Sequence, residues 1–321
     1  MVKQAARFVL QHLGGLAVLR MSNRSRFVVP MFHSFHEADE GNVEALCQHI
    51  ALHFEPVTLS AIVEGTKLPK NAITVTIDDG YRNFLQHGHP IFRRHGISTT
   101  IYAVSGFADQ RLWLWPDQVA FAIDNSGQKS LDVSMEGRAP LLLTLTSAPE
   151  RRSAAGLLTE ALKQIPNQRR LAFLATLPGL CKVEIPFAPP PAYAALSWDE
   201  LRALAAEGVE IGCHTETHPI LSRISNPDHL RREIRGAKEE MEQRLGFTVR
   251  HFCYPNGKTA DVGNMAIECV RDSGYASAVT CSWGLNSVQE SAFQIRRVPL
   301  DSQIDSGYAV ELLAGLHMPL Q

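Results

Sequence analysis

The chain has 321 residues, of which 45% are hydrophobic and 20% charged, with a formal net charge of −2. This is the composition of a soluble globular protein with room for one large α/β domain or two small ones. The near-neutral charge gives no electrostatic case for nucleic acid as a partner. The cysteines at 47, 181, 213, 253, 269 and 281 form no C-x-x-C pair, so they read as scattered small apolar residues of a reducing compartment and not as a disulfide framework.

Residues 1–26 have a basic start and a mildly apolar middle over 8–19, interrupted by Gln11 and His12 and flanked by Arg7, Arg20, Arg24 and Arg26. The stretch is too short to span a bilayer, and no small-x-small cleavage site follows it. Two readings stay open: an amphipathic helix in peripheral contact with a membrane, or a segment packed on the domain. With no export signal recognised, the cytoplasm or the inner membrane face is the expected compartment.

From residue 27 onward, strands and helices alternate. Strand patterns cover 27–32, 73–77 and 97–104, separated by helical patterns at 42–53 and 82–95, the latter closed by Gly96. Residues 125–194 break the rhythm. A hairpin is expected from 131–135 and 141–145, then helices near 150–164 and 168–177, then a stiff tether at 186–191 that holds four prolines. We read 125–194 as an insertion, either a lid over a cleft or packing on the flank. The rhythm resumes at Ser197, where Glu200 completes a capping-box signature and Gly208 ends the helix. A strand follows at 209–211, a long helix opened by Asn226 and Pro227 and stopped at Gly246, a strand at 247–254, a helix at 261–273 and a strand at 275–280. Such alternation implies a parallel sheet, and about seven units imply a closed or nearly closed barrel with its active site at the strands' C-terminal ends.

Chemistry collects at those ends. Ile73-Thr74-Val75-Thr76-Ile77 is a buried-strand pattern that runs into Asp78-Asp79-Gly80. Two adjacent carboxylates repel each other and cost desolvation, which a metal can absorb; a turn or a helix cap is the plainer alternative. Val209-Glu210-Ile211 leads to Gly212-Cys213-His214-Thr215-Glu216-Thr217-His218, with the two histidines on one side of one turn of chain. Two imidazoles and one carboxylate with a position left open are the ligand set of a catalytic zinc-type site.

Ile77-Asp78-Asp79-Gly80-Tyr81 resembles the T-F-D-D-G-Y motif of the polysaccharide deacetylases (NodB-homology domain). Residues 196–219, ending in His214-x-x-x-His218, resemble the stretch that carries the family's histidine pair, and Phe252-Cys253-Tyr254-Pro255-Asn256-Gly257 its F-x-Y-P-x-G motif. The resemblance covers 27–123 and 195–300. It implies a distorted (β/α)7 barrel interrupted by the insertion, with Asp79, His214 and His218 as metal ligands and Asp78 as general base. Zinc is the default metal for that set, with cobalt, nickel or manganese as alternatives. The backbone N–H of Asn256 is the candidate oxyanion donor, and Tyr254 falls at the same strand end.

Two positions depart from the commoner family pattern. The arginine that usually opens the third motif falls at or near Cys253, and Arg297 resembles the late arginine that replaces it, with Arg296 its neighbouring alternative. For the general acid, Val28-Val29-Pro30-Met31-Phe32-His33 resembles the first strand of a permuted branch. That favours His33 over His317 and leaves His36 as a loop residue. Glu216 is out of register for an H-E-x-x-H base, and Asp199 suits the first turn of a helix. Trp113, Trp115 and Asp117 either line a sugar cleft or anchor a loop.

The expected function is metal-dependent removal of N-acetyl groups from a carbohydrate, as a glycan or glycolipid precursor. The rivals are an O-acetyl esterase or other amide hydrolase on the same site, and a non-catalytic glycan-binding protein.

Overall fold

Seven short parallel strands close into a barrel whose chain order is also its spatial order. They are β1 (Pro30–Phe32), β2 (Val75–Ile77), β3 (Thr99–Ala103), β4 (Glu210–Cys213), β5 (His251–Cys253), β6 (Ser277–Trp283) and β7 (Ile295–Pro299). The register runs Met31 to Thr76, Val75 to Thr99, Ile101 to Ile211, Cys213 to Phe252 and Cys253 to Val279, and Pro30 pairs with Val298 to close the ring. The structure, a computed structural model, describes residues 15–65, 67–135 and 138–316. Residues 1–14 of the predicted amphipathic segment and His317 lie outside the described residues.

The barrel is the predicted (β/α)7 architecture, with local differences that have physical causes. Only Pro30–Phe32 pairs as a strand in the predicted 27–32 run; Phe27 and Val28 make isolated bridges to Asn286 and Ile73. The helix expected over 82–95 divides into a π-helical turn, Phe84–Gly88, and a helix, His89–Arg94. Pro90 has no N–H to donate one turn back, so the regular ladder cannot pass through it. The long helix begun by Asn226 contains a second π-helical turn, Arg232–Gly236, between Pro227–Arg231 and Ala237–Leu245.

Alternation along the strands decides what faces inward. Val29, Tyr102, Cys253, Val279 and Ile295 form one buried cluster, whereas Phe32, Ile77, Ile211, Phe252 and Val298 join the larger apolar layer. Gly212 fits this arrangement because a Cβ there would come within 2.5 Å of the Tyr102 ring.

The inserted segment has its own core. Helix Trp115–Asn125, the hairpin Ser130–Val133 with Leu141–Thr144, and helices Ala148–Lys163 and Asn167–Cys181 bury Trp115, Val119, Leu131, Leu143, Leu158, Leu162 and Leu177 together. The packed unit therefore begins near Trp115, ten residues before the 125 read from the sequence, because the helix through 125 faces the insertion's apolar side. Each such leucine contributes about 1.5–3 kcal/mol on burial, enough in sum to hold the segment as a defined body on the barrel. No helix among the described residues is long and apolar enough to cross a membrane.

Candidate metal centre and cleft

β2 delivers Asp78 and Asp79 to the barrel's C-terminal end, where Gly80, at φ 83°, turns the chain away. β4 delivers His214, and a tight loop returns His218 to the same point. Asp79 Oδ1 lies 3.5 Å from His214 Nε2 and 3.3 Å from His218 Nε2. The loop between the histidines is held by Glu233 of the second π-helical turn, which accepts from the N–H of Glu216 (3.1 Å), the N–H of Thr217 (2.9 Å) and the Thr217 hydroxyl (2.5 Å). Asp79, Thr215, His218 and Asn256 all adopt left-handed backbone, with φ of 71°, 72°, 56° and 59°. Strain of this kind in non-glycine residues collects at functional sites.

These residues fit a metal. His214 Nδ1 is 2.7 Å from the Cys253 carbonyl, a contact that fixes the proton on Nδ1 and leaves the Nε2 lone pair directed at Asp79. Asp79 Oδ1 is buried with no hydrogen-bond partner. Burial, with the Asp78 and Asp117 charges nearby, pushes the Asp79 carboxyl well above its usual range, a displacement that a bound cation reverses. Burial lowers the His214 pKa to about 4 and drives that of His218 well down, so both imidazoles are neutral, as a ligand must be. A second grouping, Asp78 with His214 and Cys253, is also compact. It suits a metal less well, because Arg297 occupies both Asp78 oxygens and burial pushes the Cys253 thiol well up.

Arg297 comes from β7 and is fully buried. It donates through Nη1 to Asp78 Oδ1 at 2.7 Å and to Thr76 Oγ1 at 3.2 Å, through Nη2 to Asp78 Oδ2 at 2.8 Å, and through Nε to the Thr280 carbonyl at 2.8 Å. Burial alone would raise the Asp78 pKa; the guanidinium outweighs it and holds the carboxyl below the ordinary carboxylate range. Arg296, one residue earlier, points to the other side of the strand and pairs with Glu290. His33, just past β1, sets Nε2 3.8 Å from Asp78 Oδ2 with its side chain 46% exposed.

These groups open into a cleft of about 490 Å³ lined by His33, Asp78, Asp79, His214, His218 and Asn256, with Thr159 and Lys163 contributed by the insertion. Asn256 donates its side-chain N–H to Asp261. Tyr254 departs from the expectation: it is buried against Phe252 with ring centroids 5.2 Å apart, its hydroxyl donates to the Phe293 carbonyl at 3.2 Å, and it does not line the cleft. The residue after Cys253 on β5 faces the outer apolar layer, so its side chain serves packing. Glu216 pairs with Arg111 and Arg232. Trp113 is buried against Phe121 and Tyr193, and Asp117 accepts from the Tyr81 hydroxyl at 2.7 Å, so these two anchor a loop. Met31, Thr159, Lys163 and Cys281 in the lining escaped the sequence reading. Motif spacing carries no signal for them; only strand register and the path of the insertion bring them there.

A family model described as polysaccharide deacetylase matches residues 160–277, the stretch that holds both histidines. No curated protein is similar enough in sequence to be matched. Among solved structures, the chain is similar to a Streptococcus pyogenes deacetylase, PplD, in complex with acetate, at 12% identity and a TM-score of 0.58 over 90% of this chain and 99% of that one. IcaB from Ammonifex degensii aligns at 16% identity and a TM-score of 0.54 over 90% and 97% of the two chains. A polysaccharide deacetylase from Bacillus cereus does so at 16% and 0.54 over 90% and 69%. At such identities the neighbours establish the fold alone. Together with the family model they support a domain of the polysaccharide deacetylase type.

Proposed function

We propose that the protein is a metal-dependent hydrolase that removes N-acetyl groups from a carbohydrate, as a glycan or glycolipid precursor. The observation that carries this reading is the convergence of Asp79 and the two histidine Nε2 atoms on one point, beside a second carboxylate held ionised by a buried arginine. Asp79, His214 and His218 would hold a divalent ion, zinc by default. When bound, such an ion supplies Lewis acidity to a water and to the acyl oxygen.

The remaining work falls to side chains of this chain. Asp78, kept ionised by Arg297, takes a proton from water as its oxygen bonds to the acyl carbon. Asn256, lining the cleft in left-handed backbone, offers its backbone N–H to the developing oxyanion, a contribution of roughly 3 kcal/mol in comparable hydrolases. As the carbon–nitrogen bond breaks, His33 gives a proton to the departing nitrogen, leaving an amine and acetate. Tyr254 keeps a packing role.

The test pairs metal content with acetate release, for wild type and a His214→Ala/His218→Ala variant. Near-stoichiometric zinc that the variant loses, with acetate freed from N-acetylglucosamine oligomers, supports the reading. Acetate freed only from matched O-acetyl esters would convert it to an esterase. A wild-type protein that takes up no zinc after reconstitution would overturn it.

A further inference from the structure

The backbone carbonyl of His218 accepts two donors from the inserted segment. Trp115 Nε1 donates to it at 3.1 Å and Arg170 Nη1 at 3.4 Å. The donors are themselves coupled, with the Arg170 guanidinium 4.7 Å above the Trp115 ring. Arg170 Nη2 also donates to Asn167 Oδ1 at 2.6 Å. Both side chains are buried, Trp115 at 5% and Arg170 at 3% exposure. Trp115 forms a wall between the cleft and a neighbouring cavity of about 510 Å³ that Arg170 also lines.

His218 needs such a brace more than His214 does. His214 continues directly from β4, and its N–H donates to the Ala103 carbonyl of β3 at 2.9 Å. His218 sits past the loop in left-handed backbone at φ 56°, and its N–H donates to the Thr215 hydroxyl, at 3.0 Å, on a residue that is itself left-handed. A residue of that conformation persists where its surroundings over-determine it. Here Glu233 fixes the middle of the loop and the insertion fixes its far end.

We infer that Trp115 and Arg170 are positioning residues for the metal: by gripping the His218 carbonyl they hold its imidazole toward Asp79, so that the inserted segment sets the metal affinity of the barrel site. This rests on the proposed reading of Asp79, His214 and His218 as ligands. Partners outside the ligand sphere commonly change metal affinity by about 10–100-fold, and a brace on the ligand's own backbone belongs at the lower end of that range.

The test measures zinc dissociation constants of the full chain by competition with a chromophoric chelator, beside thermal unfolding. Trp115→Phe keeps a ring beneath Arg170 but deletes the N–H; Arg170→Met deletes the guanidinium. Leu158→Ala, which truncates an apolar side chain in the same buried cluster as Trp115 and has no group to donate to the His218 carbonyl, serves as a control for loss of packing alone. The expected result is zinc binding weakened about tenfold in Trp115→Phe and in Arg170→Met, with Leu158→Ala lowering the unfolding temperature without weakening zinc. Unchanged zinc affinity in both donor variants overturns the inference, as does an equal weakening in Leu158→Ala. A wild-type protein that binds no zinc removes the ligand reading, and this inference with it.

Discussion

Arg297 and Asp78 meet through two parallel contacts of 2.7 and 2.8 Å, with exposures of 0% and 2%. A planar guanidinium on a carboxylate is the strongest geometry such a pair can adopt, and its solvent exclusion makes each charge depend on the other. Removing one partner leaves an unpaired charge in the barrel, at a cost of about 3–5 kcal/mol. Arg297→Met is therefore expected to lose that much stability in urea denaturation at pH 7. A loss under about 1 kcal/mol, the range of exposed pairs, would show that the pair is not sealed from water.

The adjacent aspartates are expected to separate cleanly. Asp79→Asn should abolish zinc uptake, because Asp79 Oδ1 faces both histidines. Asp78→Asn should retain zinc yet slow acetate release by about 10²–10⁴-fold, the contribution of a positioned acid or base. Metal analysis and acetate release are run on protein shown to be folded by circular dichroism. An Asp78→Asn protein with wild-type turnover would remove Asp78 from the chemistry.

A proton donor matters most where the leaving group is poor. His33→Gln should reduce amide hydrolysis by about 10²-fold or more, while hydrolysis of an aryl acetate, whose phenolate leaves without help, should change little. An equal loss on both substrates would indicate that His33 binds or orients and does not donate.

Glu210 gives a pH prediction away from the candidate metal centre. At the start of β4 it accepts from the N–H of Leu59 at 2.7 Å, the N–H of Ser60 at 3.0 Å and the Thr100 hydroxyl at 2.9 Å. Burial would raise its pKa, but contacts with His251 and Ser60 prevail and bring it to about 2. Because the folded-state pKa is depressed, the unfolded chain binds the extra proton as pH falls. The contribution is thus complete above the unfolded value of about 4.3 and lost as pH falls toward 2, roughly 3 kcal/mol in all. Glu210→Gln should therefore be less stable than wild type at pH 7, with the gap closing near pH 2. A gap independent of pH would refute the charge-based account.

Much of the candidate site was legible because Asp78, Asp79 and His214 lie at strand ends, where local sequence carries the signal. The β-branched run to Ile77 predicts a buried strand whose next two residues emerge at the barrel mouth, and the His214–His218 spacing marks a single turn. Tyr254 misled because adjacent strand residues face opposite sides: Cys253 points to Asp78 and Tyr254 into the outer layer. The choice between Arg296 and Arg297 is the same parity question, and the pattern of Phe293-Gln294-Ile295-Arg296-Arg297-Val298 does not fix the parity.

The alternation of strands and helices, the closed barrel and the types of residue that gather at its mouth can be read from the chain alone, since periodicity and strand ends are local properties. Tertiary structure alone decided which arginine neutralises Asp78, that Thr159 and Lys163 wall the cleft, and that Trp115 and Arg170 grip the His218 carbonyl. Those contacts join residues tens to hundreds of positions apart. They are settled by strand register, by the path of the inserted segment and by the demand that each buried charge find a partner, none of which a window of sequence contains.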